Sequence, residues 1–301
     1  MKVRILALAL MVAGGTTSAS PLSLSAHVPA QLHASKLAAS SQAPDPAQQL
    51  EQWARLFRND DIVGLAEAIL PETRWEQAKA AYELAKLKEI DEHDRAEFAE
   101  KIARVTGPDA VDKLMADLEP KIDEARPQVP GAILMAAGAI QMAANSPESD
   151  LTEAQREALR AAAPGIQAWM ESTDFTDTAT LRQALTLITD AARGANIREI
   201  DDVRKLTLEG VLDRAGPVLA ATKRAALLYG LDLNHMADSL RVEVVERDAD
   251  TAKVRTTVDV FGAPVSIEHE LELVDGRWFG KEMARNFRSI EVARVDIETE
   301  G

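Results

Sequence analysis

The hydrophobic period of this chain changes once, and that change sets its fold class. From about residue 47 to 230 apolar residues recur at helical spacing, and near residue 240 they begin to alternate with polar ones. Ile62, Leu65, Ala66 and Ile69 follow the capping run Asn59-Asp60-Asp61. Pro71 then opens a helix whose face carries Trp75, Ala78, Tyr82 and Ala85. Phe98, Ile102 and Val105 mark another face, as do Val111, Leu114, Met115, Leu118 and Ile122, and then Leu181, Leu185, Ile188 and Ala192. Gly107, Gly194 and Gly230 stand where C-cap glycines belong, and Asp150–Glu153 and Thr152–Gln155 are alternative capping pairs. The pattern predicts about eight to ten antiparallel helices.

Beyond residue 240 the period is two. Leu240, Val242 and Val244 alternate up to a loop at Asp248-Ala249-Asp250, and Val254, Thr256, Val258 and Val260 form a second strand ending at Gly262-Ala263-Pro264. Val265, Ile267, His269, Leu271 and Leu273 share one face of a third strand. Asp275-Gly276 is a strong two-residue hairpin signal, pairing Val274 with Arg277 and Leu273 with Trp278. The expected fold is mainly α with a C-terminal α+β unit: a multi-helix antiparallel domain (47–199), then a helix pair and a four-stranded antiparallel curved sheet (200–283). The helix pair, at about 200–230, should cover the sheet's apolar face. The tail, 284–301, is read as an edge strand or as disordered. The uncharged stretch Gly131 to Ala144 reads as a central core helix, with a lipid- or partner-facing surface as the alternative.

The N-terminus carries an export signal. Lys2 and Arg4 precede an unbroken apolar run from Ile5 to Ala13 and then small residues, which defines a signal peptide over 1–19 cleaved after Ala19, with Ala26 as the alternative site. Cleavage removes two positive charges and no negative ones, so the chain goes from -15 to -17. Residues 20–46, rich in Ser, Ala, Pro and Gln, read as a disordered linker. No later segment reaches the ~18 apolar residues of a membrane span. The mature protein is expected to be periplasmic or secreted, with no stable membrane span.

Charge and cysteine content exclude whole classes of function. Lys and Arg total 34 against 49 Asp and Glu, which argues against nucleic acid and anionic lipid as partners. With no cysteine the chain has no disulfide, thiolate metal site or cysteine nucleophile. No P-loop, Gly-x-Ser-x-Gly, His-Glu-x-x-His or dinucleotide-binding glycine pattern occurs, so no cofactor is implied. The run from Asp248 lacks the glycine and closing glutamate of a calcium loop.

The strand layout and the Asp275-Gly276-Arg277-Trp278 turn resemble a cystatin-like unit of the kind found in the nuclear-transport-factor-like superfamily. The chain as a whole is similar to exported proteins of Gram-negative bacteria. The superfamily resemblance implies a cone-shaped cavity, and that superfamily contains both enzymes and structural adaptors.

Few residues are candidates for a site. His269 sits on an apolar strand face with Trp278 on the neighbouring strand, and with Thr256 and Val258 it would line such a cavity. Asp232, His235 and Asp238, at i, i+3 and i+6, would share one helical face, where two carboxylates flanking a histidine could hold a divalent metal ion or orient a general base. His93 falls in a charged connection, Glu268, Glu270 and Glu272 form a solvated acidic face, and the four tryptophans read as core anchors. The expected function is an exported non-catalytic protein binding a protein, peptide or envelope component. The alternative is a small-molecule or lipid carrier, or a cofactor-free hydrolase or isomerase, working in a cavity around His269 and Trp278.

Overall fold

Helix starts in this chain follow side-chain caps. In the computed structural model, which describes residues 44–287, Asp45 caps α1 (Pro46–Arg58) and Asp61 caps α2 (Ile62–Ile69). Pro71 precedes α3 (Glu72–Lys86), and Asp91 caps α4 (Glu92–Thr106), which leads to α5 (Ala110–Ala125). A single 3-10 turn, Arg126–Gln128, enters α6 (Val129–Asn145). Thr152 and Gln155 form the capping box of α7 (Glu153–Ser172), and Asp177 caps α8 (Thr178–Gly194). α9 (Ile200–Arg204), α10 (Leu208–Leu228) and α11 (Leu233–Ser239) complete the helices before the sheet. Of the glycines expected at C-caps, Gly230 takes the left-handed conformation (φ +77), whereas Asn196 (φ +53) does so after α8.

The C-terminal ends of helices are closed from a distance. Lys223 on α10 donates to the carbonyls of Phe57 and Arg58 at the end of α1, and Arg193 on α8 to those of Thr106 and Gly107 at the end of α4. Arg160 on α7 reaches Ala144, and Arg277 reaches Glu67 and Leu70 past α2. Each supplies a positive donor to carbonyls that have no intrahelical partner, on the favourable side of the helix dipole. Between the helices many buried positions are small: Ala110, Ala158, Ala162, Ala163, Ala184, Ala221 and Ala225, with Met115, Trp75 and Lys223 among the bulky exceptions. Short side chains let the axes approach closely, and α8 lies along α10 as the central pair.

The sheet is an antiparallel meander in the order β1 (Arg241–Arg247), β2 (Thr251–Val260), β3 (Ala263–Val274) and β4 (Arg277–Gly280). It does not close into a barrel. The Asp275-Gly276 turn has positive φ at both central residues and pairs Val274 with Arg277 and Leu273 with Trp278, as the sequence predicts. A second such turn, Phe261-Gly262 (φ +52 and +82), joins β2 to β3, so Ala263 and Pro264 already belong to β3. Ala252, Val254, Leu271 and Trp278 are the buried centre of the apolar face, with Leu50, Val242, Val244 and Leu273 packed around them.

The helices laid on this sheet are α1, over the buried centre, and α7, against β3 and β2, not the pair at 200–230. α1 contacts β1, β2 and β4, while α10 packs on α8 and α2. Pro44 to Pro46, read from sequence as the end of a linker, belong to the fold: the Pro44 carbonyl accepts from Trp278 Nε1 at 2.6 Å, and Pro46 is buried. Residues 281–287 are helical rather than an edge strand, with Ala284 buried and Phe287 edge-on to Phe279 at 5.2 Å. The signal peptide, the linker as far as residue 43 and the tail from 288 lie outside the described residues.

The charge-free helix α6 is not central. Ala144 is its only buried residue, and Leu134, Met135 and Met142 are 75%, 72% and 71% exposed. Ile133, Ala136, Ala137, Ile140 and Ala143 are half-buried on the side that meets α7, and among the described residues no second helical layer covers the other side. No helix among the described residues is long and apolar enough to cross a membrane.

Candidate functional site

A groove forms where α7, the loop into α8, the end of α10 and the β2–β3 turn meet. Its volume is about 650 Å³. Its construction begins at Gly165 in α7, where a Cβ would lie 2.8 Å from the Phe261 carbonyl oxygen and 3.0 Å from Phe261 Cβ. Glycine lets the hairpin turn rest on the helix backbone. Phe261 is a bulky residue in the left-handed region, a conformation costing about 1–2 kcal/mol. Its ring then stacks on Trp169, with centroids 4.9 Å apart and planes 18° from parallel. Trp169 in turn meets Phe175 edge-to-face at 5.3 Å, and Phe175 lies parallel to Tyr229 at 6.4 Å. The Trp169 indole is fixed by donating from Nε1 to the Tyr229 carbonyl at 2.6 Å, and Gly230 packs against its ring edge.

Two carboxylates complete the groove wall. Asp174 accepts from the Thr176 hydroxyl (2.7 Å) and backbone N–H (2.8 Å), both on Oδ1, and these bonds hold its pKa below the usual carboxylate value. Asp177 accepts from the Thr180 hydroxyl (2.6 Å) and from the N–H groups of Thr180 and Ala179, which lowers its pKa likewise. Burial, reinforced by the Asp177 charge, raises the Tyr229 phenol, which therefore stays protonated. No lysine, arginine or histidine lines the groove among the described residues. Arg126, which donates to the Thr176 carbonyl, is the cation behind the loop.

Of the strand residues singled out in the sequence, His269 and Thr256 meet, and Val258 and Trp278 lie apart. His269 Nε2 lies 3.0 Å from Thr256 Oγ1, on the face that carries Val254 and Leu271. Partial burial desolvates its imidazole and lowers its pKa, although the residue is more than a third exposed. Trp278 has no exposed surface, so it borders no solvent-filled cavity. Val258 pairs with Val265 and Trp278 with Leu273, positions eight residues apart on β3 and so separated by about 26 Å.

Nor do Asp232, His235 and Asp238 form a cluster. α11 begins only at Leu233, so the Asp232 carboxylate is its cap, accepting from the His235 N–H at 2.8 Å. Asp238 pairs with Arg58 at 3.2 Å, and the His235 ring faces Asp259 at 3.8 Å. Among the described residues no group of three or more acidic or histidine side chains could hold a metal ion. His93 lies in the first turn of α4 rather than in a connection. The acidic strand face is internally paired: Glu268 bridges Lys253 and Arg255, and Glu270 meets Lys281. A second concavity of about 430 Å³, bordered by Ile90, Asp91, Asp94, Arg95 and Arg204, lies at the start of α4.

Sequence reasoning missed the groove because its aromatic residues come from three separate stretches of chain, at 169–175, 229 and 261. Two local signals mark it. Phe175 is an exposed aromatic inside a capping loop, and Phe261 precedes glycine where a tight turn favours Asn or Asp. Comparisons with protein-family models, with curated proteins and with solved structures found no match. The fold and groove define an architectural class: a helical chain ending in an open antiparallel meander, with an aromatic, acidic surface groove between the two.

Proposed function

We propose that this is an exported, periplasmic or secreted, non-catalytic protein that binds a protein, peptide or envelope component, and that it does so in the groove beside Trp169. The observation that carries this reading is that the aromatic residues Trp169, Phe261 and Tyr229 together line a groove of about 650 Å³. Preformed grooves with aromatic walls and a few fixed polar groups are the usual form of a binding site. The groove's threonine hydroxyls and Asp177 are engaged in capping α8 and its loop, while Asp174 takes both its local bonds on Oδ1, an arrangement suited to holding a ligand rather than to attacking one. A cavity around His269 and Trp278 has less support, since Trp278 is sealed beneath α1.

The test is site-directed photo-cross-linking. A photoreactive residue in place of Ser172, on the groove rim, should give a discrete adduct in cell-envelope fractions. That adduct should disappear when Trp169→Ala is added. A cross-linking pattern indifferent to Trp169 would reject the groove as the binding site.

A further inference from the structure

The groove has one sign of charge and flat aromatic walls, and that combination selects its ligand. We infer that it takes the guanidinium of an arginine side chain presented by a basic peptide, an assignment that rests on the groove being the binding site. Asp174 and Asp177 both stand in the loop between α7 and α8, and both stay ionised because neighbouring hydroxyl and N–H donors stabilise their charge. Asp174 accepts its two local hydrogen bonds on Oδ1, and Oδ2 accepts neither. No basic side chain lines the groove among the described residues to neutralise these charges. An entering cation therefore meets a negative wall whose nearest cation, Arg126, lies behind the loop and outside the groove, at the edge of stacked and edge-on aromatic rings.

A guanidinium matches this better than an ammonium. It is planar, so it stacks on the rings of Trp169 or Phe261, and its forked N–H groups reach a carboxylate at the same time. It is less strongly hydrated than an ammonium, so less is lost on leaving water for an aromatic surface. An anionic ligand is disfavoured by the same wall, and a neutral apolar one would make no use of either carboxylate. The chain's overall charge of -15 draws basic segments towards the surface before they reach the groove.

The test uses the blocked peptides acetyl-Gly-Arg-Gly-amide and acetyl-Gly-Lys-Gly-amide, and the isosteric citrulline peptide, which is neutral. Each is titrated into the full chain while the indole N–H resonance of Trp169, assigned by its loss in Trp169→Phe, is followed by NMR. The arginine peptide should move that resonance saturably, with affinity at least about tenfold above the citrulline peptide and falling as salt rises. The lysine peptide should lie between them. Asp174→Asn with Asp177→Asn should abolish the preference for arginine, while the asparagines keep the caps and hence the fold. Equal binding of arginine and citrulline would overturn the guanidinium assignment and leave the groove as a binding site. Binding by the double variant as tight as by the native chain would overturn it too, and no movement of the Trp169 resonance with any of the peptides would overturn both readings.

Discussion

Gln49 holds the backbone of Trp278 with both ends of its amide: Nε2 donates to the Trp278 carbonyl at 2.6 Å, and Oε1 accepts from the Trp278 N–H at 2.9 Å. The two residues are 229 positions apart. In the two-residue hairpin Leu273 and Trp278 form a non-hydrogen-bonded pair, so the peptide groups of Trp278 point away from β3. β4 is thus an edge strand whose outward donor and acceptor are met by a helix side chain acting in place of a fifth strand. The edge is closed by α1, and a liability of open sheets is removed.

Replacing Gln49 should therefore cost more than its size suggests. Gln49→Leu leaves a buried N–H and a buried carbonyl without partners, for a loss of about 2–4 kcal/mol. Gln49→Glu keeps an acceptor and loses the donor, and should fall between Leu and the native residue. Urea denaturation of the three chains decides it, and three equal midpoints would show that the amide clamp contributes nothing.

Lys223 is the one buried cation among the described residues, 3% exposed, with Nζ 2.6 Å from Asp60 and 2.7 and 3.0 Å from the Phe57 and Arg58 carbonyls. Lys223→Met strands the Asp60 charge and reopens the end of α1, with an expected cost of about 3–5 kcal/mol. Adding Asp60→Asn should recover part of it, since Asn tolerates the left-handed backbone of position 60. A double-mutant cycle reads the coupling directly, and additive losses would contradict it.

Gly165 sets the groove. Gly165→Ala places a methyl 2.8 Å from the Phe261 carbonyl, and because that neighbour is backbone the hairpin turn has to move. The expected cost is about 1–3 kcal/mol. Near-UV circular dichroism should change with it as the Trp169–Phe261 stack opens, and an unchanged spectrum would mean the turn does not rest on α7 there.

α6 should tolerate polar side chains on its outer side. Leu134→Gln, Met135→Gln and Met142→Gln should each shift stability by no more than about 0.5 kcal/mol. Phe279→Ala, by contrast, empties a site with 0% exposure and should cost about 3–5 kcal/mol. Thermal melts of the four variants test this. A large loss at Leu134 would mean that α6 is covered.

Acid should weaken the fold partly through His269. Burial lowers its pKa in the folded chain below the ordinary 6.5, so the unfolded chain binds the proton more readily. The contribution of the neutral imidazole is complete above about pH 6.5 and is lost as pH falls towards the folded value. Glu268 and Glu270, held low by Lys253 and Lys281, stay ionised throughout that window. Melting temperature should drop between about pH 7.5 and 5.5, and His269→Gln should flatten part of that drop. Parallel pH curves for the two chains would rule out a role for His269.

Local physics was legible in the amino-acid order. The change of period near residue 240 located the sheet, Asp275-Gly276 set its register at Trp278, and Thr152 with Gln155 formed one of the two capping pairs offered. These features depend on neighbours a few residues apart, whose backbone preferences and hydrogen bonds act before distant parts of the chain meet. Only the tertiary structure decided which surfaces face each other. An apolar helix looks the same in sequence whether or not a second layer covers it, so the exposure of Leu134 and Met142 became visible only once α6 was seen to meet α7 on one side. The shared face of His269, Val258 and Trp278 was readable, but the length of β3 keeps its ends apart. The Trp169 groove needed Gly165 to admit a turn from elsewhere in the chain, a relationship set by packing and not by any sequence period.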